Sequence, residues 1–169
     1  MQTVQAAVAS LMSGPVLTIG QDAVVSEVLA LAKSQGVHHF PIVTEGRLVG
    51  IVCTCDLEDL SPTDRVMRRA WRHVITLPPD ADLADAARLM VMQGVGSIVV
   101  TDAASIRGIL TREDLIRADS ALEQHLADAQ CSACGARKHL RPGPAGQCLC
   151  QDCHSRAKQD GEFDAGYGD

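Results

Sequence analysis

Aromatic residues are nearly missing from this chain, with two Phe, one Tyr and one Trp among 169 residues. So few rings cannot line a stacking platform for single-stranded nucleic acid. The core must therefore be built from Val, Ile, Leu, Ala and Met. Apolar runs are short as well, and none approaches the roughly 18 residues that a membrane span requires. Residues 1–11 hold no basic n-region, so the expected protein is soluble, cytoplasmic and not bound to a membrane, with its thiols reduced. Also missing are the P-loop, the G-x-G-x-x-G turn, the G-x-S-x-G elbow and the H-E-x-x-H helix, and no enzyme activity is expected. Positive charge is in deficit: 15 Lys and Arg face 21 Asp and Glu, a formal charge of −6, so the chain as a whole does not attract phosphate backbones.

What remains is sufficient for a folded core. Apolar residues make up 46% and charged ones 21%, a balance that argues against disorder. The dominant feature is a repeat. Shifted by 58 residues, the stretch 18–57 aligns without a gap on 76–115, with eleven of 40 positions identical. Chance would give about two or three at ordinary composition. The identities fall at structural punctuation: Thr18, Asp22 and Ala23 meet Thr76, Asp80 and Ala81, and Gln35, Gly36 and Val37 meet Gln93, Gly94 and Val95. Gly50, Ile51, Asp56 and Leu57 meet Gly108, Ile109, Asp114 and Leu115.

Each copy reads alike. A short β-like stretch precedes an Asp (Asp22, Asp80) suited to cap a helix. Apolar residues then follow helical spacing at Val25, Val28, Leu29 and Ala32, and at Leu83, Ala86, Ala87 and Met90. Gly36 and Gly94 stand where a helix ends in a left-handed residue. Two apolar strands follow, joined through Glu45-Gly46 in one copy and Asp102–Ser105 in the other. Each copy closes on a helix entered at Asp56 or Asp114. The expected fold class is α/β. One βαββα copy is too small to bury both faces of its sheet, so the two copies are expected to pack sheet to sheet, leaving two clefts between them.

This order, with a "Thr-x-x-x-Asp-Ala" opening and a "Gly-h-h-[Thr/Ser]-x-x-Asp-Leu" ending, resembles tandem cystathionine-β-synthase (CBS) domains, the pair called a Bateman module. The resemblance covers about residues 4–118 and places the copies at 1–60 and 61–119. It implies a regulatory module that binds an adenine nucleotide or related adenosyl ligand in the clefts and associates as a homodimer. Carried over by position, it implies one cleft formed by Ile109, Thr111, Glu113 and Asp114 with Thr18, Ala23 and His38. The other would use Ile51, Cys55 and Asp56 with Thr76, Ala81 and Gly96. In the family the Thr or Ser contacts phosphate or ribose and the Asp takes the ribose hydroxyls. Here the first copy departs from the pattern, with Cys53 at the hydroxyl position and a thiol that is a weak donor. The cleft of Thr111 and Asp114 is therefore the favoured one, although Thr111-x-x-Asp114 also reads as a helix cap. His38 and His39 are adjacent on a strand and point to opposite faces, so together they make no two-ligand metal site. Cys53 and Cys55 share a face and are expected to line the cleft.

The C-terminal segment 131–169 follows the stretch 112–130, where Leu115, Ile116, Leu122 and Leu126 suggest a helix with an apolar stripe and 120–130 is the expected linker helix. Cys131 and Cys134, then fifteen residues, then Cys150 and Cys153 give the C-x2-C…C-x2-C spacing of structural zinc. The segment resembles zinc ribbons and rubredoxin-like knuckles, ending in an acidic tail. Leu140 and Leu149 are its only large aliphatics, so metal has to supply the folding energy. Four thiolates close a tetrahedral site and argue for a structural ion; iron takes the same ligands. Cys148 is a fifth thiol near the set, and His139 and His154 are weaker candidates. The reading is a ligand-sensing regulatory protein whose ribbon contacts a protein partner, the linker helix passing cleft occupancy to it. The alternative is a nucleic-acid-binding or transcription-associated adaptor with the CBS pair as dimer scaffold, less favoured because the acidic tail offsets the ribbon's basic residues.

Overall fold

Gly36 and Gly94 end two helices of equal length, Val25–Gln35 (α1) and Leu83–Gln93 (α2), with φ of 66° and 65°. Both positions need a left-handed backbone, which glycine adopts without a Cβ penalty. The structure, a computed structural model, describes residues 6–103, 105–119, 130–136, 140–142, 148–150, 152, 153 and 156. The expectations placed on Leu122, Leu126, His139 and His154 lie outside the described residues, as does most of the linker helix.

The order of elements in the first copy is β1 (Ile19–Gly20), α1, β2 (His39–Thr44) and β3 (Arg47–Cys53). The second copy has β4 (Thr76–Leu77), α2, β5 (Ser97–Asp102) and β6 (Ser105–Thr111), closed by α3 (Arg112–Ala118). Each copy forms a three-stranded sheet with its middle sequential strand at the centre. β1 runs parallel to β2 with Ile19 beside Ile42, and β4 parallel to β5 with Thr76 beside Val99. β2 and β3 are antiparallel with Phe40 opposite Val52, turned by Glu45 (φ 50°) and Gly46 (φ 75°) as the hairpin reading expects. The first copy's core joins Ile19, Phe40, Ile42 and Val52 of the sheet to Val25, Val28 and Ala32 of α1. Phe40 is the exception to an aliphatic core, with no exposed surface.

Three local readings change. Asp22 and Asp80 do not cap the helices; the caps fall two residues later, at Val24 and Asp82. Asp82 accepts from the Ala84 N–H at 2.7 Å, while Val24 has no cap side chain and Glu27 reaches back to its N–H at 3.2 Å. Leu29 is not a core residue and is 41% exposed, whereas its repeat mate Ala87 is buried. The first copy closes on a single 3-10 turn, Thr54–Asp56, where the second enters an α-helix.

The repeat reaches further upstream than its identities suggest. Val8–Ser10 and Val66–Arg68 are 3-10 turns 58 residues apart, and each leads into contacts with the opposite copy. The Leu83 N–H donates to the Ala6 carbonyl and the Val8 N–H to the Ala81 carbonyl, at 3.0 and 2.8 Å. In the mirrored set, the Val25 N–H donates to Asp64 and the Val66 N–H to Ala23, both at 3.0 Å. Ser13 then bridges Ile109 and Trp71 bridges Ile51, each through two backbone hydrogen bonds of 2.8–3.0 Å. The first N–H of each helix, an orphan of helix geometry, is thus satisfied by the other copy's leading segment. A Cβ on Gly50 would stand 3.0 Å from the Trp71 carbonyl oxygen, and one on Gly108 would stand 2.5 Å from the Met12 Sδ. That crossing explains the glycine in the closing motif.

By internal packing the chain divides into two units. One takes in Met1–Leu11, Asp80–Ile98 and Thr111–Asp169, the other Met12–Pro79 and Val99–Leu110. Among the described residues, no helix is long and apolar enough to cross a membrane.

Candidate ligand and metal sites

Thr111 ends β6 and caps α3. Its hydroxyl accepts from the Asp114 N–H at 3.3 Å, and Asp114 Oδ2 accepts from the Thr111 N–H at 2.9 Å and from its hydroxyl at 2.7 Å. This reciprocal arrangement is a capping box with Asp in the reach-back position. Asp114 is 9% exposed, and its Oδ1 is met by Arg117 Nη1 at 3.5 Å, a distance too long for a strong bond. The capping role is therefore real, and it draws mainly on one carboxylate oxygen. Glu113 projects from the same turn and is exposed. Arg112 fixes the turn from the other side, its N–H donating to the Gly96 carbonyl at 3.0 Å and its Nε to the Val95 carbonyl at 3.2 Å.

The first copy repeats the framework with different chemistry. The Thr54 N–H donates to the His38 carbonyl at 2.9 Å, the counterpart of Arg112 on Gly96. Cys53 takes the capping position, and its sulfur accepts from the Cys55 N–H at 3.4 Å. Asp56 is 7% exposed, with Trp71 Nε1 donating to its Oδ2 at 3.4 Å. His38 Nδ1 lies 3.4 Å from the Thr54 hydroxyl, while His39 sits opposite Cys53 on the β2–β3 ladder. The two imidazoles thus separate to different neighbours, as strand alternation requires.

The other expected ligand residues take these places. Thr18 is exposed just before β1, and Ala23 precedes α1 with its carbonyl held by Val66. Ile51 in β3 and Ile109 in β6 are half-buried at the bridges to Trp71 and Ser13. Thr76 opens β4 and is exposed; Ala81 precedes α2 with its carbonyl held by Val8. Thr111, Glu113 and Asp114 are brought together on one turn, as are Cys55 and Asp56. Sequence reading missed Trp71, whose indole meets the Asp56 carboxylate. The matched pair Val8 and Val66, both fully buried, was the available sign that the repeat extends to the segment carrying it.

The four C-terminal cysteines meet. The thiols of Cys131, Cys134, Cys150 and Cys153 all lie within 4.8 Å of one another, with Cys134 and Cys150 Sγ 3.6 Å apart. A tetrahedron with metal–sulfur bonds of about 2.3 Å has edges of about 3.8 Å, so this spacing fits a four-thiolate ion. The first knuckle is closed by Cys131 and Ala136 at 2.7 Å and by the Gly135 N–H on Cys131 at 2.8 Å, Gly135 having φ of 74°. The second is carried by β8 (Cys148–Cys150), antiparallel to β7 (Leu140–Pro142). Leu149 is buried with the cysteines, and Leu140 and Ala136 pack against them. Ionisation is unequal across the set: against burial, backbone hydrogen bonding at Cys150, Cys134 and Ala133 brings Cys131 down to about 6, while Cys153 is pushed up to about 12, first by the Cys134 thiol and then by burial. Arg156 Nη2 donates to Cys153 Sγ at 3.3 Å, a cation placed beside a sulfur that a metal would ionise.

Two β-α-β-β copies with mirrored leading segments define the fold class of a tandem domain pair. The chain belongs to the CBS domain family, whose model matches residues 8–61 and 64–121. It is 33% identical over 114 residues to protein MJ0188 of Methanocaldococcus jannaschii, covering 65% of this chain and 43% of that protein. It is 26% identical over 102 residues to inosine-5′-monophosphate dehydrogenase of Thermoplasma acidophilum, covering 60% of this chain and 21% of the enzyme. The chain thus spans less than half the length of these curated relatives. Among solved structures it is similar to the CBS domain pair of protein MJ0100 in complex with 5′-methylthioadenosine and S-adenosyl-L-methionine. That match has 26% identity and a TM-score of 0.64, and covers 69% of this chain and 97% of the other. The four-cysteine segment lies beyond the family match.

Proposed function

We propose that this protein is a regulatory sensor whose CBS pair binds an adenosyl ligand and whose four-cysteine module, held by zinc, contacts a partner protein. The likeness to the MJ0100 pair, which holds 5′-methylthioadenosine and S-adenosyl-L-methionine, carries the ligand class. The α3 turn supports the choice of site. Asp114 Oδ1, which the capping box leaves largely unused, suits a ribose diol. Thr18, Ala23, His38 and Ile109 are the residues assigned to complete it, with the site of Asp56, Cys55, Ile51, Thr76, Ala81 and Gly96 as the weaker one. The copies are assigned to residues 1–60 and 61–119, and the pair to a homodimer. Zinc is assigned to Cys131, Cys134, Cys150 and Cys153 because a closed four-thiolate set suits a structural ion.

The test is a thermal-shift panel with AMP, ADP, ATP, 5′-methylthioadenosine, S-adenosylmethionine and NAD. A true ligand at 100 times its dissociation constant adds about 2.7 kcal/mol of stability. Asp114→Asn keeps a capping side chain and loses the charged diol acceptor, so it should fold and give no shift. A full shift in Asp114→Asn would remove Asp114 from the site; no shift with any adenosyl compound would remove the ligand class.

A further inference from the structure

Cys53 and Cys55 flank Thr54 where β3 turns into the Thr54–Asp56 segment, outside the four-cysteine cluster. We propose that these two thiols, set beside His39, form a peroxide-sensitive pair in which Cys53 is oxidised first and Cys55 resolves it. Three observations bring the groups together. The Cys53 sulfur accepts the Cys55 N–H at 3.4 Å, which turns it toward the residue two positions on. His39 is the cross-strand partner of Cys53, where side chains on one face approach to about 5 Å. Cys53 is half-buried and Cys55 exposed, so neither residue is sealed in the core.

Electrostatics agree with the geometry. Hydrogen bonding from the Cys55 thiol, then the hydrogen bond and charge of His39, bring the Cys53 thiol down to about 4 against the opposing effect of burial. The nearest acid in the turn, Asp56, has its Oδ2 engaged by the Trp71 indole. A thiol in such surroundings is the nucleophilic kind, unlike an inert core cysteine.

The chemistry balances with peroxide as the oxidant. The Cys53 thiolate attacks one peroxide oxygen, the O–O bond breaks, and sulfur is oxidised to a sulfenic acid while hydroxide leaves. The Cys55 sulfur then attacks the Cys53 sulfur, the S–O bond breaks, and water departs with the thiol proton. The products are one disulfide, one water and the hydroxide, which takes up the proton that Cys53 lost on ionising and becomes the second water; a dithiol reductant then returns both thiols. Closure draws in the turn that carries Asp56, so the thiol state sets the shape of the first-copy position.

The experiment uses the full chain, reduced, loaded with zinc and treated with a few equivalents of hydrogen peroxide. Remaining thiols are blocked with N-ethylmaleimide, and the tryptic peptide spanning 48–65, which holds both cysteines and no internal Lys or Arg, is weighed. The expected product is unlabelled and lighter by two hydrogens, returning to a doubly labelled peptide after dithiothreitol. Cys55→Ser should leave Cys53 as a sulfenic acid trapped by dimedone. Iodoacetamide alkylation of Cys53 should vary less than about twofold between pH 5.5 and 7.5, where an ordinary thiol gains about tenfold per unit, and His39→Ala should steepen the profile. A peptide that stays doubly labelled after peroxide, or a Cys53 that over-oxidises while Cys55 stays labelled, overturns the pair. An unchanged profile in His39→Ala overturns the part given to the imidazole.

Discussion

Thr111 and Cys53 occupy the same position of the repeat, and different turns follow them. The Thr hydroxyl takes part in a two-way capping box and α3 follows; the Cys sulfur accepts one long bond and a single 3-10 turn follows. Thr111→Ala should cost about 1 kcal/mol in urea unfolding, and Thr111→Ser should restore most of it. Gly50 is constrained by contact rather than by backbone angle. Its missing Cβ would meet a carbonyl oxygen of the Trp71 bridge, so Gly50→Ala should cost about 1–3 kcal/mol, measured by the same unfolding curves. A cost within a few tenths would show that the bridge yields. The glycine was legible as a repeated residue; its reason was not, because the obstructing backbone comes from a segment whose repeat is marked by little more than Val8 and Val66.

Elements whose signals are local were readable in advance. Helix ends at Gly36 and Gly94 and the Glu45-Gly46 hairpin follow from positive φ, which few residues tolerate. Helix starts were less legible. Asp22 and Asp80 offered capping side chains, but the first turn begins where Asp64 and Ala6 supply backbone acceptors, and those partners lie far along the chain. The cysteine spacing was readable for the opposite reason, since the spacing of a four-thiolate ligand set holds whatever lies between. With Leu140 and Leu149 as its only large aliphatics, the module should lose its structure when the metal is removed. Structural zinc contributes about 10–16 kcal/mol of apparent binding energy in small peptides. Treatment with a strong chelator should expose Cys131, Cys134, Cys150 and Cys153 to alkylation while α1 and α2 keep their hydrogen-exchange protection. Continued protection of the four thiols would argue against metal as the module's support.

At the scale of the whole molecule, the repeat was visible as eleven identities, yet the way its copies depend on each other was not. Residues 6–13 end on α2 and β6, and residues 64–71 end on α1 and β3. Neither half is finished by its own sequence. Fragments 1–60 and 61–169, made separately, should each be aggregation-prone or poorly folded, and should recover native helix content by circular dichroism when mixed. Two independently folded fragments would show the exchange to be dispensable. The same reciprocity bears on ancestry. A gene for one copy could have finished its product only by lending its leading segment to a second molecule and borrowing one in return. On that account the founding form was a hooked pair of identical chains, and the duplication joined partners that were already completing each other.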